Sequence, residues 1–149
     1  MIEVKARKQY EEKYKEGFPL VVDTFVFSNE INFREGEIFV LSDHKNRFIA
    51  KGYLGKQNKS LGWLLSWKEN EPIDRHFFVN KLIVALNKRV RFFKDEQTTA
   101  FRVFNSAGDG IGGLTIDYFE EYYLFNWYSE GIYAFKDEKI KEYLGDINY

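Results

Sequence analysis

Three sets of residues in this 149-residue chain have types and spacing that could do chemistry. The first is Gly108-Asp109-Gly110-Ile111-Gly112-Gly113, which satisfies G-x-G-x-x-G, the fingerprint of a loop that cradles a dinucleotide phosphate. Glu130 even follows about 20 residues on, where a ribose-binding acid would stand. That chemistry needs a helix N-terminus straight after the glycines, so that free amides and the helix dipole meet the phosphate. Here Leu114-Thr115-Ile116-Asp117-Tyr118-Phe119 follows, a run of strand formers. The motif is therefore expected to be a wide hairpin whose glycines take positive φ. The second set is the pair Asp109 and Asp117, which could meet across that hairpin for acid–base work. An Asp in a turn and an Asp closing a strand is the simpler reading, and no catalytic residue is assigned. His44 and His76 have no third ligand at metal spacing and are expected on the surface, so no metal site is assigned either.

The third set is basic. Residues 1–94 carry 18 Lys or Arg against 12 Asp or Glu, whereas residues 95–149 carry 4 against 11. The whole chain is nearly neutral, at −1, which excludes a uniformly basic nucleic-acid binder. Its basic side remains a candidate for a polyanion, through phosphate neutralisation and counterion release. Between Arg75 and Lys94 there are six basic residues and no acidic one. Lys81 and Lys88 are expected to project away from the apolar stripe, with Arg89 and Arg91 beside them. That is either a solvated helix face or a stripe facing RNA or a partner. The absence of cysteine excludes disulfides, Cys-ligated zinc, iron–sulfur clusters and thiol catalysis, and suits a reducing cytoplasm. No apolar run reaches the roughly 18 residues of a membrane span, so no membrane partner is expected. The N-terminus shows no apolar signal core, and a cytoplasmic location is expected.

The elements that must position these residues follow from periodicity. Ile2 to Ala6 alternates and reads as a strand; Lys8 to Lys15 reads as a short helix, stopped by Gly17 and Pro19. Val21 to Phe27, Ile38 to Leu41, Phe48 to Leu54 and Leu61 to Trp67 read as strands. Short strands with turns every 8 to 12 residues indicate a small barrel. At Pro72 the period changes, and Asp74 to Phe93 reads as one helix with Asp74 as N-cap. Phe101 to Asn105, Leu114 to Phe119 and Tyr122 to Trp127 then read as three antiparallel strands, closed by a helix from Ile132 to Leu144. The expected fold class is α+β: a barrel domain over 1–70, then a basic linking helix and β-hairpin element over 71–149.

Two stretches carry a resemblance. Ile38 to Ser66, with Phe48-Ile49-Ala50-Lys51-Gly52-Tyr53-Leu54 and Leu61-Gly62-Trp63, resembles the second half of a PUA domain. Phe101 to Phe119, with Arg102, Asn105, Asp109-Gly110, Gly113-Leu114-Thr115 and Asp117, resembles a linking hairpin. Both belong to the class I S-adenosylmethionine-dependent methyltransferases that make 5-methylcytosine in large-subunit ribosomal RNA. The chain departs from the family at Ala107, where an acidic-then-small pair is usual, and at Gly112, where proline is common. It also lacks the family's cysteine nucleophile and strand–glycine–helix unit. The resemblance implies the N-terminal, RNA-targeting part of such an enzyme, unable to methylate alone. S-adenosylmethionine is then implied for the full-length protein and no cofactor for this chain. The implied partner is structured RNA, namely large-subunit ribosomal RNA.

In the family the barrel's first helix, the loop after it and one edge strand face the nucleic acid. Carried onto matching positions, these are Arg7, Lys8 and Lys15, then Gly17 and Phe18 before Pro19, and Lys51 with Lys56 and Lys59. Two alternatives stay open: a free-standing RNA-binding module without catalysis, and a dimerisation or protein-interaction module. Aromatic-rich hairpins also admit a homodimer.

Overall fold

The computed structural model describes residues 1–28 and 32–135. Five strands build the first sheet: β1 (Ile2–Lys5), β2 (Leu20–Val22), β3 (Ile38–Ser42), β4 (Phe48–Gln57) and β5 (Ser60–Ser66). Their order is β1-β3-β4-β5-β2; β1 and β3 run parallel, with Ile2 opposite Phe39, and the other pairs are antiparallel. The two edges then meet. Ala6 bridges Val26, the Arg7 amide donates to the Phe25 carbonyl at 2.9 Å, and the Phe27 amide to that of Lys5 at 2.9 Å. This closes the sheet into the expected small barrel and removes exposed strand edges. Val4, Tyr14, Val21, Phe39, Leu41 and Leu54 fill it. Tyr14 comes from α1 (Glu11–Lys15), which follows a single 3-10 turn at Lys8–Tyr10. Val21 to Phe27 is not one extended segment, because a 3-10 turn at Asp23–Phe25 interrupts it. Its Asp23 amide is drawn to the Lys59 carbonyl, and its Phe25 ring stacks on Tyr10 with centroids 3.8 Å apart.

A second layer follows Pro72. Asp74 caps α2 (Arg75–Lys88), its carboxylate accepting from the Phe77 amide. The expected single helix breaks at Arg89, where φ is −116°, and restarts as α3 (Val90–Lys94). The apolar spacing runs through the break, so periodicity alone could not show it. Strands β6 (Ala100–Asn105), β7 (Leu114–Phe119) and β8 (Tyr122–Trp127) form the expected antiparallel sheet in the order β6-β7-β8. A register shift between Arg102 and Phe104 lets Val103 and Phe104 both be buried. The inner face packs Phe104, Leu114 and Ile116 against Phe78, Leu82 and Leu86 of α2. The final helix starts earlier than expected, as α4 (Glu130–Tyr133), because the Ser129 hydroxyl caps it by accepting from the Ile132 amide. Residues 136–144 of the expected helix lie outside the described residues. Tyr53 and Leu65 of the barrel belong to the same buried cluster as α2 and β7, so the apolar core runs on across Pro72.

Candidate nucleic-acid interface

The loop after α1 is closely specified by its hydrogen bonds. Gly17 takes φ +108°, its amide donates to the Tyr14 carbonyl, and the Phe18 amide donates to that of Lys13. This pair of bonds is a Schellman C-cap, which needs a left-handed residue at that position. Tyr14 anchors the loop from below: its hydroxyl donates to the Leu20 carbonyl at 3.0 Å and accepts from the Val22 amide at 3.2 Å. Burial pushes that phenol up to about 12, against the opposing hydrogen bond from Val22. Trp67 Nε1 donates to the Tyr14 carbonyl at 2.7 Å, and Lys13 Nζ lies 4.4 Å from the Phe18 ring centre.

The residues carried over from the family separate into three groups. Arg7 and Lys59 lie either side of the Asp23–Phe25 turn, which bonds to both of their backbones. Arg7 spreads its guanidinium over the exposed Phe27 ring at 4.4 Å, while Lys8 is exposed beside it. Lys56 and Lys59 are exposed at the β4–β5 hairpin, where Asn58 takes φ +51°. Lys15 stands near Gly17 and Phe18 but lies 3.5 Å from Asp43 and 3.9 Å from Glu12, so part of its charge is spent inside the molecule. Lys51 is buried, and its Nζ donates to the Glu69 carbonyl at 2.9 Å, tying down the segment after β5.

Sequence reasoning missed the cluster behind Lys15. Asp43 is fully buried and accepts from the amides of Lys45 and Arg47 and from Arg47 Nε, each at 2.8–2.9 Å. Burial alone would raise its carboxyl, but those donors and the Arg47 charge hold it well below the usual carboxylate range. Glu11 is also buried; burial pushes it up, and the amide and ring of His44 more than offset this, leaving it lowered. His44 Nδ1 lies 2.7 Å from Glu11 Oε1, so this histidine pins a loop to α1 and is no idle surface residue. The available signal was the local one, an Asp followed two and four residues later by the amides it binds.

The glycine motif is a structural joint. A 3-10 turn at Ser106–Asp109 leads to Gly110 at φ +98° and Gly113 at φ +84°, and then to β7. The Gly112 backbone lies against the Trp63 ring, and Tyr53 donates its hydroxyl to the Gly112 carbonyl at 2.6 Å. The Gly113 amide donates to Ser106 Oγ at 2.9 Å. Strand rather than helix follows, and Gly110, Gly112 and Gly113 are already packed, so these residues do not fit S-adenosylmethionine. Asp109 accepts from Arg89 Nη2 at 2.8 Å, Arg89 Nη1 at 3.2 Å and the Asn105 amide at 2.7 Å. Asp117 takes Arg102 Nε at 2.9 Å and Nη2 at 3.3 Å. Each carboxylate is claimed by its own arginine, which leaves no paired acid and base. The basic helix stripe is thus partly internal, since Arg89 serves Asp109 and Lys88 Nζ reaches to 3.9 Å of it. Among the described residues, no group of three His, Asp or Glu could hold a metal ion.

With this geometry in hand, residues 3–67 match the PUA-like domain family. The putative ribosomal RNA large subunit methyltransferase YwbD of Bacillus subtilis is 43% identical over 135 residues, covering 90% of this chain and 34% of that protein. Ribosomal RNA large subunit methyltransferase I of Aliivibrio fischeri is 29% identical over 76% of this chain and 29% of its own length. A putative SAM-dependent methyltransferase from Streptococcus mutans superposes with a TM-score of 0.84 at 31% identity, over 96% of this chain and 37% of that one. Most of the chain is thus similar to one stretch of these methyltransferases, and residues 3–67 of it carry the PUA-like match. The chain spans about a third of the length of the relatives it matches. The structure of a putative methyltransferase complexed with SAH superposes with a TM-score of 0.85 at 31% identity.

Proposed function

We propose that this chain is the RNA-targeting part of a ribosomal RNA (cytosine-C5) methyltransferase. In this reading residues 1–70 dock structured large-subunit RNA, and residues 71–149 hold a catalytic domain in register. The observation that carries it is a contrast in how cations are used. Lys15, Arg47, Arg89 and Arg102 all have carboxylate partners, whereas Arg7, Lys8, Lys56 and Lys59 have none among the described residues. Unpaired cations around a closed barrel suit the backbone of a folded RNA, which is recognised by shape and phosphate position. S-adenosylmethionine is, in this reading, held by the part of the relatives that the chain does not span. The work is cytoplasmic, and among the described residues no helix is long and apolar enough to cross a membrane.

The test is anisotropy of a labelled ribosomal stem-loop across a salt series. Replacing Lys8, Lys56 and Lys59 together by alanine should weaken binding similarly across sequences. The log–log salt slope should fall by roughly 0.7–0.9 for each phosphate that is no longer neutralised. An unchanged slope with the fold intact would overturn the assignment of this face. The interaction-module reading has its own observation, because Phe119, Tyr122 and Leu124 are exposed on the outer face of the second sheet, the side on which a homodimer would form. Absence of salt-dependent RNA binding by the parent chain would favour that reading.

A further inference from the structure

A cleft of about 340 Å³ lies between the barrel and the second layer. Gly17 and Pro19 line one side, Trp67, Lys68 and Glu71 the floor after β5, and Lys81 of α2 the far wall with Gly110. We propose that this cleft receives one unpaired nucleotide of the bound RNA, its phosphate met by Lys68 and Lys81 and its base by Trp67 and Glu71. The inference rests on the RNA-targeting reading above and adds a site which that reading does not contain.

The lining of the cleft argues for it. The volume sits at the low end of the roughly 300–1,000 Å³ range of small-ligand pockets, enough for a nucleotide and too small for a duplex. Lys81 is held in place: its stem lies along Gly110, where an added methyl group would come within 2.8 Å of Cδ, and its Nζ lies 5.2 Å from the Phe77 ring centre. Neither Lys68 nor Lys81 has a carboxylate partner among the described residues, although Lys88 and Arg89 on the same helix do. Trp67 is fixed by its 2.7 Å bond to Tyr14, which presents a rigid aromatic surface of the kind that unstacked bases use. Glu71 engages Ser66 Oγ through Oε1 and keeps a second oxygen to accept from a base amino or imino group.

The experiment compares two labelled RNA hairpins, one fully paired and one with a single bulged 2-aminopurine, by anisotropy and by the base's own fluorescence. The parent chain should bind the bulged hairpin more tightly and quench the 2-aminopurine. Lys68→Met with Lys81→Met should cost the bulged hairpin roughly tenfold or more and abolish the quench, with the paired hairpin hardly affected. Ala107→Leu, which fills the cleft and keeps both lysines, should do the same and guards against a misfolded double variant. Equal loss for both hairpins, or no loss in either variant, would overturn the nucleotide site while leaving the RNA reading intact. Failure of the parent chain to bind either hairpin would overturn both.

Discussion

At Gly17 the chain turns at φ +108° and an added methyl group would meet nothing within 4 Å. At Gly112 the backbone has no such constraint, yet a methyl group would collide with Cδ2 of Trp63. The first glycine answers a conformational demand and opens onto a cleft and solvent; the second answers a packing demand and joins two layers. In the sequence Gly17 reads as a helix stop and a carried-over RNA contact, and Gly112 as one glycine of a wide hairpin. Their difference separates the barrel's outward loop, where a ligand can approach backbone, from the inward loop, where the Gly-rich motif is consumed by the fold.

The harshest way to break this comparison is Gly112→Ala. The methyl group must displace the Trp63 ring or the loop, and Tyr53 bonds to that same peptide. Overpacking of this severity should cost about 3 kcal/mol or more, read as a fall in urea midpoint at constant m-value. Pairing it with Trp63→Ala should recover part of the loss that the two single variants would sum to, since the clash partner is gone. A single variant within about 0.5 kcal/mol of the parent would mean that the joint is loose.

Gly17→Ala should be milder. Its cost is that of a left-handed non-glycine residue, about 1–2 kcal/mol, with Gly17→Asn nearer the parent because Asn tolerates that region. Neither change should add a clash, so no partner variant should rescue it. An alanine variant as stable as the parent would remove the conformational half of the comparison.

Much of the fold was legible because it follows from local rules. Gly17 and Pro19 end α1, Asp74 starts α2, and the switch from period two to helical spacing at Pro72 marks where the layers change. The refusal of a cofactor loop at Gly108–Gly113 also followed locally, from the strand formers at Leu114–Phe119. What was not legible depends on residues distant in sequence. The break at Arg89 is tied to Asp109, 20 residues on. Lys51 looks like a surface lysine until Glu69 comes beside it. The cleft needs Gly17, Lys68, Lys81 and Gly110 together, and no spacing rule places those four side by side.

The smallest effect compares the barrel with the second layer in acid. Glu11 and Asp43, with ordinary values of 4.5 and 3.8, are both held lower in the folded barrel. The unfolded chain therefore takes up protons first as pH falls. These carboxyls contribute stability that is fully present above those ordinary values and is lost as pH falls towards their folded ones. The second layer's own lowered carboxyl, Asp95, bonds the Thr98 hydroxyl and Gln97 amide in an exposed turn, so its protonation frees a turn and no core. Urea midpoints followed between pH 6 and about 3 should thus decline chiefly through the barrel. Asp43→Asn should lower the midpoint at neutral pH yet flatten its decline in acid, because one of the two titrating groups has been removed. Asp95→Asn should change neither by more than a small fraction. If Asp43→Asn keeps the parent's full acid slope, the carboxylates behind Lys15 are not what holds the β3–β4 loop against α1, and the Gly17 loop owes its placement to Tyr14 and Trp67 alone.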